Sequence, residues 1–376
     1  MNNTVNINSA KEWMTRLLAE GDSFVAYRLP GEEGGHAFGV GNVSKIDISD
    51  FSPARYEGSF IVAPFILSDG AFALWPDAGQ KKFPVSDVNV GYSRLQSFRR
   101  YEEATQVRNE YARSFGMIKN ALDKGVADKV VLARRMEVSD VPKQILPEVF
   151  VALCQAYPNA FVYFFDHPEV GRWMGASPET FLNKVDDEIT TVALAATRKS
   201  EHLSEDWNLK ELEEQGFVST FVDEVLNDFG ISDYQKTGPE PVIAGQMVHL
   251  RTFYRFDAGI VEERLGQLLK SLHPTPAVGG YPKDKALELI RNSEQFNRLL
   301  YSGFLGPVFP NGFSFFVNIR SMELRNDNAV LYLGGGITRD SKEETEWEET
   351  RLKAHTLLSV LHSVKQNQCN ESIHLR

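Results

Sequence analysis

Residues 333–355 read LGGGITRDSKEETEWEETRLKAH, a glycine triplet followed by a burst of acid. Asp340, Glu343, Glu344, Glu346, Glu348 and Glu349 fall within ten residues. Ser341-Lys-Glu-Glu344 has the form of a capping box, with Ser341 as the N-cap. Acids in a first helical turn also suit the helix dipole. These two effects account for Asp340, Glu343 and Glu344. They do not account for Glu346 and Glu349. The helix that follows has an apolar stripe through Leu357, Val360, Leu361 and Val364, and counting back by threes and fours reaches Lys353, Glu349 and Glu346. Charges on an inward face need a partner, a metal or a substrate.

A second acidic stretch, NLKELEEQGFVSTFVDEVLNDFG, behaves the same way. Its stripe holds Phe217, Val218, Phe221, Val222 and Val225. Glu214 shares that face, Glu211 extends it and Glu213 points away. Two carboxylates on inward helix faces suit one hard divalent cation such as Mg²⁺, which fills its shell with water and substrate oxygens. Ion pairs with buried lysine or arginine answer the same burial requirement.

Four further groups stand out. In SFFVNIRSMEL–RNDN–AVLYLGG a hairpin with Asp327 near its tip sets Arg320 opposite Gly334. An arginine fork beside Gly334, Gly335 and Gly336 with free N–H groups is a cradle for a carboxylate or phosphate. The triplet is neither a dinucleotide fingerprint nor a Walker loop. Lys129 opens the apolar strand DKVVLA, where burial or nearby cations can turn a lysine into a base; a strand-end lysine reaching for solvent is the plain alternative. Glu179 follows GASP at a strand exit, and His273 sits in the proline-glycine loop LHPTPAVGGYP, where a core or loop histidine is the bland reading.

The elements that must position these groups follow from periodicity. A short helix over 9–20 starts at Ser9. Strands and hairpins run from Phe24 to about Val90. Helices are expected over 99–124, 206–229 (closed by Gly230), 284–300 and 342–366, and strands over 129–138, 160–166, 172–177 and 189–197. Strands arrive in blocks, which favours an α+β fold with large, mostly antiparallel sheets flanked by helices.

Composition narrows the partners. The chain has 376 residues, 42% hydrophobic and 24% charged, enough for about two domains or one large unit. Forty basic against 51 acidic residues give a formal charge of −11, with no basic run, which argues against nucleic acid. An anionic substrate then needs a locally positive site or a bound cation. Cys154 and Cys369 are far apart and form no metal pattern, as in a reducing compartment. The start lacks an apolar signal core and no stretch is long enough to span a membrane, so a soluble cytoplasmic protein is expected.

Taken together, the segments resemble the chorismate-utilising enzymes. The match runs in the family's order through DKVVLARR, GASPETFL, ALAATR, ELEEQGFV, HLRT, LHPTPAVGGYP, RLLYSGFLGPV, NIRSMEL and GGGIT–EWEETRLK. The resemblance implies one catalytic unit of two subdomains, with residues 1–98 as a β-rich portion and 99–376 as the chorismate-binding region. It implies Mg²⁺ held by Glu214 and Glu349, with Glu211 and Glu346 close behind. It implies an enolpyruvyl carboxylate received by Tyr301, Arg320 and the Gly334–Gly336 backbone, and Lys353, Ala195, Thr197 and His273 along the substrate. Lys129 would be the general base and Glu179 the general acid.

The branch can be argued from chemistry. Anthranilate-type members carry glutamine where Lys129 stands, and aminodeoxychorismate synthases carry a nucleophilic lysine where Ala195 stands. A lysine with an alanine points to water as nucleophile, with Lys129 neutral and Glu179 protonated. An isochorismate synthase, serving menaquinone or a siderophore, is expected. A salicylate synthase, which adds pyruvate elimination, is the alternative; an aminating synthase or a non-catalytic anion- or metal-binding protein stands further off. No amidotransferase partner is expected, and the family suggests a monomer. Ala193, Ala196 and Leu299 stand where the family has proline, glycine and glycine, and Gly216 replaces a common charged residue beside Glu214.

Overall fold

The computed structural model describes residues 5–6, 9–85, 105–199, 201, 203, 205–244 and 247–374. The boundary expected at residues 98 and 99, and the first turn of the helix expected from residue 99, fall outside them. In chain order the first elements are β1 (Val5–Asn6), α1 (Ala10–Glu20), β2 (Phe24–Arg28), β3 (Gly34–Ile46), α2 (Pro53–Tyr56), β4 (Phe60–Ala63), β5 (Ala71–Pro76), β6 (Lys81–Pro84), α3 (Thr105–Asp123) and β7 (Lys129–Val138). Next come α4 (Leu146–Ala156), β8 (Phe161–His167), β9 (Gly171–Ser177), β10 (Thr180–Val185), β11 (Glu188–Lys199), α5 (Leu209–Asp228), β12 (Tyr234–Ala244) and β13 (Met247–Asp257). The last are α6 (Leu265–Leu272), β14 (Gly280–Tyr281), α7 (Lys283–Ser293), β15 (Phe304–Phe309), β16 (Gly312–Val317), β17 (Ser321–Arg325), β18 (Asn328–Thr338) and α8 (Glu343–His374).

The strands form two large sheets. The first runs β1-β6-β3-β2-β8-β9-β17-β18-β7-β14, antiparallel except for β1 beside β6. The second runs β12-β13-β11-β10-β16-β15-β4-β5-β3, antiparallel throughout. The long strand β3 belongs to both: its first half pairs with β2 and β6, its second half with β5. The expected α+β architecture of large antiparallel sheets is what the chain adopts.

Alternation along each strand sorts the core into layers. Phe24 and Ala26 face α1, α4 and α8, whereas Val25 and Tyr27 face the space between the sheets. The same split separates Val162 and Phe164 from Phe161, Tyr163 and Phe165 on β8. Helices α5 and α6 cover the outer face of the second sheet. Helices α3 and α7 pack on Val130, Leu132 and Ile337. Among the described residues no helix is long and apolar enough to cross a membrane.

Five sequence expectations shift. Helix α5 begins at Leu209 because Asn208 and Glu211 form a capping box there. Helix α8 runs on to His374. Helix α7 stops at Ser293 because Glu294 turns to extended backbone, φ −78° and ψ 135°. The stretch 314–324 is not one strand: β16 lies in the second sheet, β17 in the first, and Asn318–Arg320 crosses between them. The hairpin register pairs Ser321 with Tyr332, so Arg320 lies just beyond the ladder instead of facing Gly334.

The early end of α7 has a purpose. Glu294 is buried and grips Arg298 through two contacts of 2.9 and 2.5 Å. Arg298 also donates to the carbonyls of Val278 at 2.8 Å and Val131 at 2.7 Å, and Glu294 accepts the N–H of Ala133 at 2.8 Å. Beyond the two residues of β14, this pair takes over the edge of β7. Replacing Arg298 with leucine leaves a buried carboxylate and two carbonyls unpaired. We expect a loss of about 3–5 kcal/mol in chemical denaturation; a loss below about 1 kcal/mol would show that the pair does not brace β7.

Candidate active site

A cavity partly open to solvent lies between the sheets. Glu179, Ala195, Glu214, Tyr301, Arg320, Gly334, Gly336 and Lys353 line it. These residues come from β18, α5, α8, β11 and three connections, and residue separations exceed 150 in sequence between Glu179 and Gly334 (334 − 179 = 155).

Register places the base and the glycines together. Strand β18 pairs with β7 so that Thr338 faces Lys129, Gly336 faces Val131 and Gly334 faces Ala133. Even-numbered residues of β18 and odd-numbered residues of β7 point between the sheets. A side chain on Gly336 would stand 2.5 Å from Glu214 Oε1 and 3.0 Å from Lys129 Cε, and one on Gly334 would stand 2.7 Å from the Tyr301 hydroxyl. The glycines are needed because functional side chains lie flat against the strand. The Gly334 carbonyl accepts Lys353 Nζ at 2.9 Å, so it faces the open edge. In an antiparallel strand the N–H of the same residue, and of the residue two further on, faces that edge too. The N–H groups of Gly334 and Gly336 are therefore available, while that of Gly335 belongs to the ladder with β7.

The charges are matched as lysine–glutamate pairs. Lys129 Nζ is fully buried and lies 3.1 Å from Glu214 Oε1. Lys353 Nζ lies 2.5 Å from Glu349 Oε1, and Lys210 Nζ lies 2.6 Å from Glu346 Oε1. Burial pushes the Glu349 carboxyl up, but Lys353, Lys210 and Arg320 outweigh it and hold the group below its usual value. Burial and the charge of Glu349 raise Glu346 despite Lys210. Glu346 Oε2 is buried without a hydrogen-bond partner.

Glu346 and Glu349 reach towards Gly335 from outside the sheet, their oxygens 3.8 and 3.9 Å from where its side chain would begin; Glu214 reaches Gly336 from inside. These are hard oxygen donors around one short stretch of strand, and one donor atom is unspent. Among the described residues no three acidic or histidine side chains form a complete cage. A cation that keeps water and substrate oxygens needs fewer protein ligands, so the donor set fits Mg²⁺.

Glu179 has a different character. It is fully enclosed, its Oε1 has no hydrogen-bond partner, and burial pushes its carboxyl up to about 8 against the opposing charges of Lys129, Arg320 and Lys353. It holds a proton at neutral pH. Burial likewise raises the Tyr301 phenol, which stays a donor. Its ring stacks on Tyr332 at 5.5 Å. Arg320 lines the cavity, and among the described residues no carboxylate lies within ion-pairing distance of its guanidinium.

Other expected residues lie elsewhere. His273 is in the core: its Nε2 is 3.0 Å from the Phe65 carbonyl, its ring packs on Phe181 and Phe304, and burial pushes it down to about 3. The structure does not bring it to the cavity. Glu211 is turned away from Glu214 by the capping box and by Arg198, whose guanidinium reaches its two oxygens at 3.1 and 2.5 Å. Ser341 accepts the Thr338 N–H at 3.0 Å instead of capping Glu344. Glu343 and Glu344 both pair with Arg108 on α3. The Thr197 side chain lies outside the described residues; its backbone pairs with His249.

His249 is the lining residue that sequence reasoning passed over, although HLRT carried it. Its Nδ1 lies 3.2 Å from the Ala196 carbonyl and donates to it, and burial, with Arg320 and Lys353 nearby, pushes the ring down to about 3. The imidazole is neutral. Lys210 was also missed, though it stands one turn before Glu214. Ala196 and Leu299 both have left-handed backbone, φ 53°. The chain keeps a backbone suited to glycine while carrying side chains, at about 1–2 kcal/mol each.

A carboxyl with a raised folded pKa binds its proton more tightly in the folded state. The stabilising share of Glu179 is full below its ordinary value of 4.5 and is lost as pH rises through about 8. Wild-type stability should therefore fall across that window by up to ~1.4 kcal/mol per pH unit, and Glu179→Gln should flatten the slope. Parallel denaturation curves for the two proteins across this range would show that Glu179 titrates normally.

The model of the chorismate binding enzyme family matches residues 85–362. A vibriobactin-specific isochorismate synthase of Vibrio cholerae serotype O1 is 27% identical over 261 residues, covering 67% of this chain and 66% of that protein. The isochorismate synthase EntC of Escherichia coli K12 is 30% identical over 248 residues, 62% of each. The chain thus spans just under two thirds of the length of these relatives. A crystal structure from Bacillus anthracis, described as a 2,3-dihydroxybenzoate-specific isochorismate synthase, superposes with a TM-score of 0.75 at 22% identity, covering 94% of this chain and all of that one.

Proposed function

The chain belongs to the family of chorismate binding enzymes, and on that premise we propose that it is an isochorismate synthase. The observation that carries this reading is a protonated Glu179 on the wall of a cavity where Ala195 presents only a methyl group, with the buried Lys129, paired to Glu214, close enough for its charge to act on Glu179. Ala195 cannot attack a ring carbon and leaves space for water. The similarity to two isochorismate synthases supports the same branch.

In this reading the substrate's enolpyruvyl carboxylate meets the Arg320 guanidinium, the Tyr301 hydroxyl and the edge N–H groups of Gly334 and Gly336. Glu214 and Glu349 would hold Mg²⁺, which would neutralise the ring carboxylate. Water attacks ring carbon C2 and gives up a proton to the Lys129 amine. The ring double bonds shift and the C4–oxygen bond breaks. Glu179 supplies the proton that lets the C4 hydroxyl leave as water. One water enters, one leaves, and the product is an isomer of the substrate. Val131, Leu194 and Ile319 supply apolar lining beside the reacting groups.

The deciding experiment is incubation with chorismate and Mg²⁺, resolving products by chromatography. Isochorismate should accumulate; salicylate with equimolar pyruvate would assign the protein to the pyruvate-eliminating branch. The rate should fall as pH rises through about 8, where Glu179 loses its proton. Lys129→Gln should lower kcat by about 100-fold or more and leave Mg²⁺ binding by calorimetry intact; normal turnover would remove Lys129 as the base. Glu214→Ala and Glu349→Ala should each weaken Mg²⁺ binding by about tenfold or more, and unchanged titrations would reject this ligand pair.

A further inference from the structure

Tyr301 and Arg320 reach the cavity from two separate connections, and both connections have backbone that side chains resist. Leu299, Ser302 and Arg320 have φ of 53°, 63° and 51°. Such residues persist only where their surroundings over-determine them. One buried side chain meets both connections. Asn318 is 1% exposed. Its Nδ2 donates to the Leu300 carbonyl at 2.8 Å, and its Oδ1 accepts the Tyr163 hydroxyl at 2.6 Å. Its own N–H donates to the Gly303 carbonyl at 2.7 Å, and its carbonyl accepts the Ser302 N–H at 2.8 Å.

Those bonds enclose Tyr301 on both sides, at Leu300 and at Ser302–Gly303, while Arg320 follows Asn318 by two residues. The fourth partner fixes the group to the first sheet. Tyr163 stands on β8 between Phe161 and Phe165, with ring separations of 6.0 and 5.8 Å. It pairs with Gly175, where a side chain would come within 2.9 Å of the Tyr163 ring. The Arg320 carbonyl meanwhile accepts the Ala176 N–H at 3.1 Å. Gly334 belongs to the same sheet, so the tyrosine hydroxyl, the guanidinium and the glycine edge share one frame.

We propose that Asn318 is a positioning residue for anion recognition: it sets Tyr301 and Arg320 so that their donors converge on one carboxylate of the substrate. The proposal rests on the reading of the cavity as a chorismate site. Residue chemistry favours the amide here. A leucine would leave the Leu300 carbonyl and the Tyr163 hydroxyl unpaired. An aspartate would lose the donor and set a charge two residues from Arg320, where it competes with the substrate.

The test is steady-state kinetics with chorismate and Mg²⁺ on Asn318→Ala, Arg320→Ala and the double variant. Misplaced binding groups away from the reacting atoms raise KM. Asn318→Ala should raise KM about tenfold or more with kcat within about threefold, and the double variant should raise KM by clearly less than the product of the two single effects. An unchanged KM, a loss confined to kcat, or effects that multiply in the double variant would overturn the proposal. If Asn318→Ala does not fold, Tyr163→Phe removes one bond from the same amide and should raise KM several-fold, an increase likewise less than multiplicative with that of Arg320→Ala. An Arg320→Ala enzyme with wild-type KM would overturn the carboxylate reading itself, and this proposal with it.

Discussion

The buried pair of Glu294 and Arg298 stands in for a strand. Strand β7 is paired along its whole length with β18, but on its other side β14 offers only Gly280 and Tyr281. Beyond them the Glu294 carboxylate takes the Ala133 N–H and the Arg298 guanidinium takes the Val131 carbonyl. The same guanidinium holds the Val278 carbonyl and lies over Phe65 at 4.4 Å. An ion pair taken fully out of water is costly unless every donor and acceptor is met, and here backbone groups meet them. The arrangement ties together the strand bearing Lys129, the loop after α6 and the connection bearing Tyr301. Each contributes to the cavity or its wall.

Charge organisation follows from that frame. The chain is acidic overall, yet cations gather at the cavity: Lys129, Lys353, Lys210 and Arg320. The lysines are each matched by a glutamate, whereas the guanidinium has no carboxylate within reach among the described residues. Pairing keeps these charges affordable, because unpaired buried charges of either sign cost far more than they return. Glu179 is the exception by design of its surroundings. Its enclosure favours the neutral acid so strongly that three nearby cations do not reverse it.

Two positions that depart from the expected pattern, Ala196 and Leu299, hold left-handed backbone suited to glycine. Ala196 forms the bulge where β11 slips register against β13, and its carbonyl receives His249. Leu299 holds the same left-handed turn before Tyr301, and its carbonyl accepts the Phe65 N–H at 2.9 Å. Both sites show tertiary hydrogen bonding overriding local preference, which is affordable only where many contacts act together.

Periodicity in the sequence determined the architecture and much of the site. The stripe through Leu357 and Val364 implied that Lys353, Glu349 and Glu346 face inward, and Val218 through Val225 did the same for Glu214; both stripes are core. An isolated lysine at the head of an apolar strand and a glycine triplet were visible because each violates its local pattern. Composition and spacing could not separate His273 from a ligand, since a histidine satisfied by a carbonyl and one facing substrate look alike until the fold is known. Nor could they place Glu211 or Arg320. A capping box and a strand break compete locally with the longer pattern, and which wins depends on partners such as Arg198, Tyr163 and Asn318 that are remote in sequence. Tertiary structure alone decided the protonation of Glu179, because burial and the sum of nearby charges are properties of the assembled cavity and not of any segment.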